Sequence, residues 1–396
     1  MGAVSAFGVG AEVLWRQLCL GANGIGPLRH PDAEQLRVRI AAQVPEAFDP
    51  AAYIAESTLA MLDRSSQFAL IAANEAISQS GLDFTSGPLS ARSGVVIGSG
   101  AGGAVTQDEQ YRRIYKDNAV RVHPLTIARL MSNAPASQIS IAHGLRGPVF
   151  VVASACASSN HALAQGVQMI RSGFADVVVA GGTEACLCYG SLRAWEAMRV
   201  LADDTCRPFS ASRRGLVLGE GAGVFVLESL AHAEARGALA LGELAGAGMS
   251  ADARDIVAPD AGGAGTAMAL ALADAGLRAE DIDYINAHGT GTRANDAVET
   301  RAIRQVFGSH AAHLAVSSTK SMHGHALGAA GAVELVAVLG ALREGIVPPT
   351  ANFDGADPEC DLDYVPNVAR RLPVSAALSN SFAFGGLNAV LAVTRI

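Results

Sequence analysis

Seven short apolar runs punctuate the chain, at 93–100 (SGVVIGSG), 149–155 (VFVVASA), 175–182 (ADVVVAGG), 223–229 (GVFVLES), 281–289 (DIDYINAHG), 313–319 (HLAVSST) and 376–381 (AALSNS). Most are nearly continuous in apolar residues rather than alternating, as strands are when both faces of their sheet are covered. Ala-rich stretches with helical periodicity lie between several of them, so the pattern predicts an α/β protein. One such stretch predicts a helix near 157–172, directly after the 149–155 strand and ending at Gly173. No apolar run reaches the roughly 18 residues a membrane span needs. Even the longest, GAAGAVELVAVLGAL, is interrupted by Glu334. No linker or low-complexity segment is visible.

Composition narrows the class. With 396 residues, half of them apolar and 17% charged, the chain can bury a large core as one big domain or two fused halves. A formal charge of −8 with thinly spread Lys and Arg leaves no basic stripe for nucleic acid. Six cysteines, at 19, 156, 186, 188, 206 and 360, form neither a zinc-site spacing nor a disulfide framework, and read as reduced thiols. The start, MGAVSAFGVG, lacks the basic region and long apolar core of a signal peptide, so a cytoplasmic location is expected.

Two turns resemble each other. SACASSNHAL and STKSMHGHAL pair Cys156 with Lys320 and His161 with His325, each just after an apolar strand. Either both are ordinary strand-to-helix turns built from small residues, or an α/β unit is duplicated and its equivalent turns face one site. Cys156 is expected at a helix N-terminus, where unpaired N–H groups and the dipole lower a thiol's pKa and make it a nucleophile. The alternative is a small buried hydrophobe, the reading given to the other five cysteines. His288 follows another strand and precedes a Gly/Thr loop; Lys320 and His325 follow a third. Strand ends are where α/β sites lie, so these four residues form a candidate constellation. GSGAGG at 98–103 satisfies a dinucleotide fingerprint, with Asp117 at about the ribose-contact distance. That reading fails, because 104–124 supplies no second strand for a βαβ unit.

SACASS, NAHGTGT, SSTKSMHGH, GAAGAVE and SNSFAFGG, in this order, resemble the type II β-ketoacyl-acyl carrier protein synthases of the thiolase-like superfamily over nearly the whole chain. RVLADDTCRPFS and TKSMHGH are also similar to nodulation-type and type II polyketide ketosynthases. The resemblance implies a duplicated αβαβα layered fold with two mixed five-stranded sheets. Its N-terminal half (1–240) carries Cys156 and its C-terminal half (241–396) carries His288, His325 and Lys320. It implies that Cys156 holds the acyl chain and that the backbone N–H groups of Cys156 and Phe384 form the oxyanion hole and gate. His288 and His325 assist decarboxylation, with Lys320 in support. Thr290 and Thr292 match positions that meet the pantetheine arm, although satisfying their own loop's backbone explains them equally well. Ala101, Thr126 and Phe382 match substrate-pocket positions. Asn286, Glu334, Ser379 and Asn380 match a structural cation site seen in some members. No cofactor is implied, the substrates carrying phosphopantetheine on the carrier protein.

Departures from the family pattern refine these expectations. The first strand is cut short, because Met1 and Gly2 match its last residues. Arg64 is the only cation where relatives carry a basic cluster, leaving Arg112, Arg113, Lys116 and Arg121 as candidates for docking an acidic carrier protein, against the alternative of a solvated helix face. Ala383 and Leu387 replace Gly and Thr in the gating segment. Ala101 and Thr126 are small where long-chain synthases have bulk, so a longer or bulkier acyl chain is expected. Three functions remain: an elongating ketosynthase, expected as a homodimer; a specialised polyene, aryl or polyketide ketosynthase, expected with a second ketosynthase-like subunit; and a non-catalytic partner resembling a chain-length factor. Cys156 argues against the third. No cysteine follows Cys360 to act as the second thiol of a degradative thiolase.

Overall fold

The computed structural model describes residues 1–85 and 87–396. Its first sheet contains β1 (Gly2–Ser5), β2 (Gly8–Val9), β3 (Ser93–Gly98), β4 (Val149–Val152), β5 (Val177–Glu184) and β6 (Gly221–Glu228), in the order β2-β1-β6-β5-β3-β4. The second contains β7 (Glu243–Ala251), β8 (Tyr284–Asn286), β9 (Ala315–Ser317), β10 (Ala376–Ala383) and β11 (Leu387–Thr394), in the order β9-β8-β10-β11-β7. Without β2 the two sheets share one topology, with β1, β3, β4, β5 and β6 corresponding to β7, β8, β9, β10 and β11. In each sheet the three strands at one side pair in parallel, and the remaining two pairings, through β6 in the first sheet and β11 in the second, are antiparallel. The resemblance between the two turns therefore reflects a duplicated unit: Cys156 follows β4, and Lys320 and His325 follow its counterpart β9. The two-residue β2 extends the first sheet beyond the five strands expected. The shortened first strand forms as the four-residue β1, paired to β6.

Helices complete five layers. On the outer face of the first sheet, α1 (Arg64–Ser80) buries Phe68, Ala69 and Ala72 against Val95, Ile97, Val177 and Val224. Here α2 (Ala104–Tyr115) follows the glycine loop after β3. Between the sheets lie α3 (Ser158–Arg171) and, later in the chain, α7 (Ala330–Glu344), whose residues are buried from Ala330 through Leu342. A helix apolar on all sides belongs in a core, and this one packs against both halves. Before it come α4 (Tyr189–Ala197), α5 (Ala261–Ala275) and α6 (Arg293–Phe307). The last two cover the outer face of the second sheet through Ala264, Met268, Ile303, Ile285 and Leu378.

The glycines of 98–103 are packed shut. A Cβ on Gly98 would lie 2.4 Å from the Ser158 backbone, and one on Gly103 2.4 Å from Arg129 O. The dinucleotide reading thus fails on two counts, since 104–124 contains a helix and no strand, the next strand being β4. Among the described residues, no helix is long and apolar enough to cross a membrane.

Candidate active site

The parallel strands β8, β9 and β10, together with β4, deliver their C-terminal turns to one buried point. Cys156 lies in a single 3-10 turn, Ala155–Ala157, ahead of α3 rather than at that helix's first residue, and the turn is tight enough to hold Ala155 at φ +48°. Its sulfur is 3.1 Å from His325 Nε2. On the far side of the ring, Nδ1 accepts the Leu327 N–H at 3.2 Å. In the neutral ring the proton then sits on Nε2, aimed at the sulfur. The His288 ring lies 5.4 Å from that of His325, nearly perpendicular at 83°, and packs 6.0 Å from the Phe382 ring.

Electrostatics fix the protonation states. Burial, followed by the Lys320 ammonium, drives both His288 and His325 well below the usual imidazole range, so both are neutral. Lys320 is completely buried and ion-paired with Glu334, whose carboxyl burial raises to about 7 against the pull of Lys320. The expectation of an acidified thiol is corrected. Burial pushes Cys156 up to about 12, outweighing Lys320 and the backbone N–H groups of Cys156 and Phe384. A helix terminus stabilises a thiolate by a modest amount, whereas removing the group from water costs several pKa units.

The expected residues divide in how they meet this centre. Cys156, His288 and His325 place one sulfur and two ring nitrogens within 4.8 Å of one another. With Nε2 of His325 protonated, that ring has no lone pair to give a metal, and the trio reads as a thiol facing hydrogen-bond donors. Thr290 and Thr292 bond each other at 2.9 Å, and Thr292 caps α6 through Asn295 N, so their hydroxyls do serve their own loop. The Ala101 N–H donates to Glu184 at 3.1 Å while its side chain is exposed; the Thr126 hydroxyl donates to His123 O at 2.6 Å. His161 bonds Ser154. Arg112 is ion-paired with Asp32, and with Arg113 and Lys116 it lines a cleft of about 810 Å³ that also holds Asp108, Glu109 and Glu220. Arg64 is paired with Glu220.

At the cation positions, Asn286 and Ser379 are cross-strand neighbours. Asn286 Oδ1, Glu334 Oε2, Ser379 Oγ and Asn380 Oδ1 are all buried without a partner. Oxygens of this kind, one of them from a carboxylate, are what a hard cation takes, but the four do not share one face: the Asn380 amide turns to the other side of β10, where it donates to Glu299 at 3.1 Å.

Sequence reasoning missed two carboxylates. Glu299 accepts the N–H groups of His288 and Gly289, both at 2.8 Å, and so fixes the turn that presents the ring. Its only sequence signal was its place on α6, eleven residues beyond His288. Glu184, at the end of β5, accepts from Gly100 N at 2.8 Å, Gly328 N at 3.0 Å and Ala101 N at 3.1 Å. It joins the glycine loop to the turn that carries His325.

Residues 1–233 match the Beta-ketoacyl synthase, N-terminal domain, and 241–354 the Beta-ketoacyl synthase, C-terminal domain. The chain belongs to the β-ketoacyl synthase family. It is 50% identical to Nodulation protein E of Rhizobium meliloti (strain 1021), covering 100% of this chain and 98% of that one. It is 41% identical to 3-oxoacyl-[acyl-carrier-protein] synthase 2 of Synechocystis sp., covering 100% and 96%. The structure of "The ishigamide ketosynthase/chain length factor" superposes with a TM-score of 0.95 at 35% identity, covering 100% of this chain and 97% of that one. As a β-ketoacyl synthase with the duplicated thiolase-like fold, the protein is a condensing enzyme of the acyltransferase type.

Proposed function

We propose that Cys156, His288 and His325 carry out a decarboxylative Claisen condensation that lengthens an acyl chain by two carbons. The supporting observation is the 3.1 Å contact between Cys156 Sγ and a His325 Nε2 whose proton is fixed there by the Leu327 N–H. In the first half-reaction, the Cys156 sulfur attacks the thioester carbonyl of an acyl carrier protein substrate. The tetrahedral oxyanion rests on the backbone N–H groups of Cys156 and Phe384. The pantetheine sulfur leaves and takes the proton that Cys156 gives up, so charge balances despite the thiol's high pKa.

In the second half-reaction a malonyl thioester enters along Thr290 and Thr292. Its carboxylate leaves as carbon dioxide, and the electron pair of the broken C–C bond forms an enolate. Nothing has to remove a proton here. What the step needs is neutral N–H donors aimed at the thioester oxygen, which two uncharged histidines supply. The enolate carbon then attacks the acyl-Cys156 carbonyl, the C–S bond breaks, and the cysteine sulfur, released as a thiolate, takes a proton from water to restore the thiol while the 3-ketoacyl chain departs on the carrier protein. Burial and, after it, Lys320 keep both rings neutral. A cation held by Asn286, Glu334 and Ser379 would offset the charge of Glu334 and hold β8 beside β10.

Two features favour a specialised chain over a housekeeping one. Identity to Nodulation protein E exceeds that to synthase 2, and Ala101 and Thr126 are small residues at positions that match the family's acyl pocket. Carrier protein docking falls to Arg113, Lys116 and Arg121, since Arg64 is held by Glu220. The test is to replace His288 or His325 by Ala. Acyl transfer to Cys156 should stay measurable while malonyl decarboxylation slows by about 10²-fold, the scale of losing one transition-state donor. Decarboxylation at the wild-type rate in both variants would refute the assignment.

A further inference from the structure

The Gly/Thr loop after His288 is held by a part of the chain far from it in sequence. The carbonyls of Gly289, Thr290, Gly291 and Thr292 each accept a hydrogen bond. Ser318 Oγ donates to Gly289 O at 2.6 Å, Cys206 Sγ to Thr290 O at 3.6 Å, Gly215 N to Gly291 O at 3.0 Å and Arg213 Nε to Thr292 O at 3.4 Å. All of these donors except Ser318 lie on 206–215, in the N-terminal half. The same segment then meets the other histidine's turn, where His325 N donates to Val217 O at 2.7 Å and Gly219 N to His325 O at 2.9 Å. One strap therefore touches both turns. At the loop the contact is backbone against backbone: a Cβ on Gly291 would lie 2.8 Å from Gly215 O.

Arg213 is the side chain that ties the strap to the loop. It is 1% exposed, and besides Thr292 O its guanidinium donates to Ser210 O at 2.9 Å, to Arg293 O at 3.4 Å and to the Asp357 carboxylate. Its Nε also lies 3.6 Å from Asp296 Oδ2. Asp296 completes the clamp by accepting Gly291 N at 3.2 Å and Phe209 N at 2.8 Å. Phe209 is held at φ +63°, a conformation that a bulky residue keeps only where its surroundings impose it. Buried ion pairs add little net stability over well-packed apolar side chains. What the planar, many-donor guanidinium supplies is position.

The loop so held presents the Thr290 and Thr292 hydroxyls. Their shared bond of 2.9 Å uses one of the two hydroxyl protons, and their bonds to Asn295 N and Thr292 N are accepted ones. Among the described residues nothing takes the second proton.

We propose that Arg213 is a positioning residue of the condensation, setting the backbone of 289–292 so that the spare hydroxyl proton of Thr290 and Thr292 meets an amide carbonyl of the substrate's pantetheine arm. This rests on the condensing reading above, in which the arm runs along both threonines.

The full-length enzyme is assayed for decarboxylation of malonyl-pantetheine, with alkylation of Cys156 by iodoacetamide as a measure that needs no arm. Arg213→Lys keeps the charge but cannot span the strap. Its KM should rise by about 2- to 12-fold, the value of one neutral hydrogen bond, while kcat and the alkylation rate stay near wild type. Thr290→Val should raise KM similarly, and the double variant should raise it by less than the product of the single effects, because both act through one loop. A wild-type KM in a folded Arg213→Lys protein, even one that melts earlier, overturns the proposal. So does a fall in kcat at unchanged KM, which would place the effect on the histidines, and so does a double variant whose effects multiply in full. If Arg213→Lys fails to fold, Asp357→Asn loosens the guanidinium from its outer side and takes its place, with the same outcomes deciding. A wild-type enzyme that leaves malonyl-pantetheine intact overturns the condensing reading itself, and the role of Arg213 with it.

Discussion

The unlike shifts of Cys156 and its two histidines lead to separable pH behaviour. The thiol is raised to about 12, so at neutral pH only a small fraction is thiolate. Alkylation by iodoacetamide should therefore accelerate by about tenfold per pH unit between pH 7 and 9. Cys156 should still label ahead of Cys186 and Cys206, which are equally buried and lack the Phe384 N–H; peptide mapping at partial labelling checks this. The histidines are shifted the other way. Their pKa values lie well below 6.5, so lowering the pH from 8 to 6 forms no imidazolium. Decarboxylation should stay flat over that range, and a falling limb centred near pH 6.5 would contradict neutral donors. Cys156, His288, Lys320 and His325 were legible in the sequence because each follows an apolar strand. The sign of the cysteine's shift was not, since burial depends on α4 and the Phe384 segment, which come from distant parts of the chain.

Element-scale order depends on carboxylates that accept backbone N–H groups where loops meet. Glu184 ties the turn after β3 to the turn after β9, is completely buried, and has its pKa raised to about 7 by burial despite three backbone donors and Ser99. Because the folded value exceeds the unfolded one, the native state holds a proton that the unfolded chain has released. The associated stability is fully present below about pH 4.5 and is lost as the pH rises through about 7. Glu184→Gln mimics the protonated acid and should remove that dependence. Urea unfolding at pH 5 and pH 8 should show wild type losing about 2–3 kcal/mol relative to the variant; parallel curves would mean that Glu184 stays ionised throughout. Strands and helices could be anticipated from apolar runs and Ala-rich periodicity. Glu184 and Glu299 could not, because a carboxylate that caps a distant turn leaves no periodic trace.

On the scale of the whole molecule, the duplicated topology explains why the residues of one site are spread from 156 to 384: equivalent strands in both halves point their C-terminal ends at the same interior. The resemblance of SACASSNHAL to STKSMHGHAL carried this in the sequence, whereas β2 is too short to leave a signal. The strand β4 forms an edge of the first sheet with Phe150 exposed. Such an edge invites pairing, and a second copy of this chain is the expected occupant. Light scattering should give a dimer of 2 × 40.4 kDa, and Phe150→Lys should shift it toward monomer; a wild-type monomer at micromolar concentration would contradict this. The most direct test of the account is the intact mass of the enzyme after incubation with an acyl-carrier protein thioester. It predicts one acyl group per chain, mapped to Cys156, absent in Cys156→Ala, and discharged as a chain two carbons longer when malonyl-carrier protein is added. Acylation elsewhere, or a Cys156 adduct that malonyl-carrier protein cannot discharge, would contradict it.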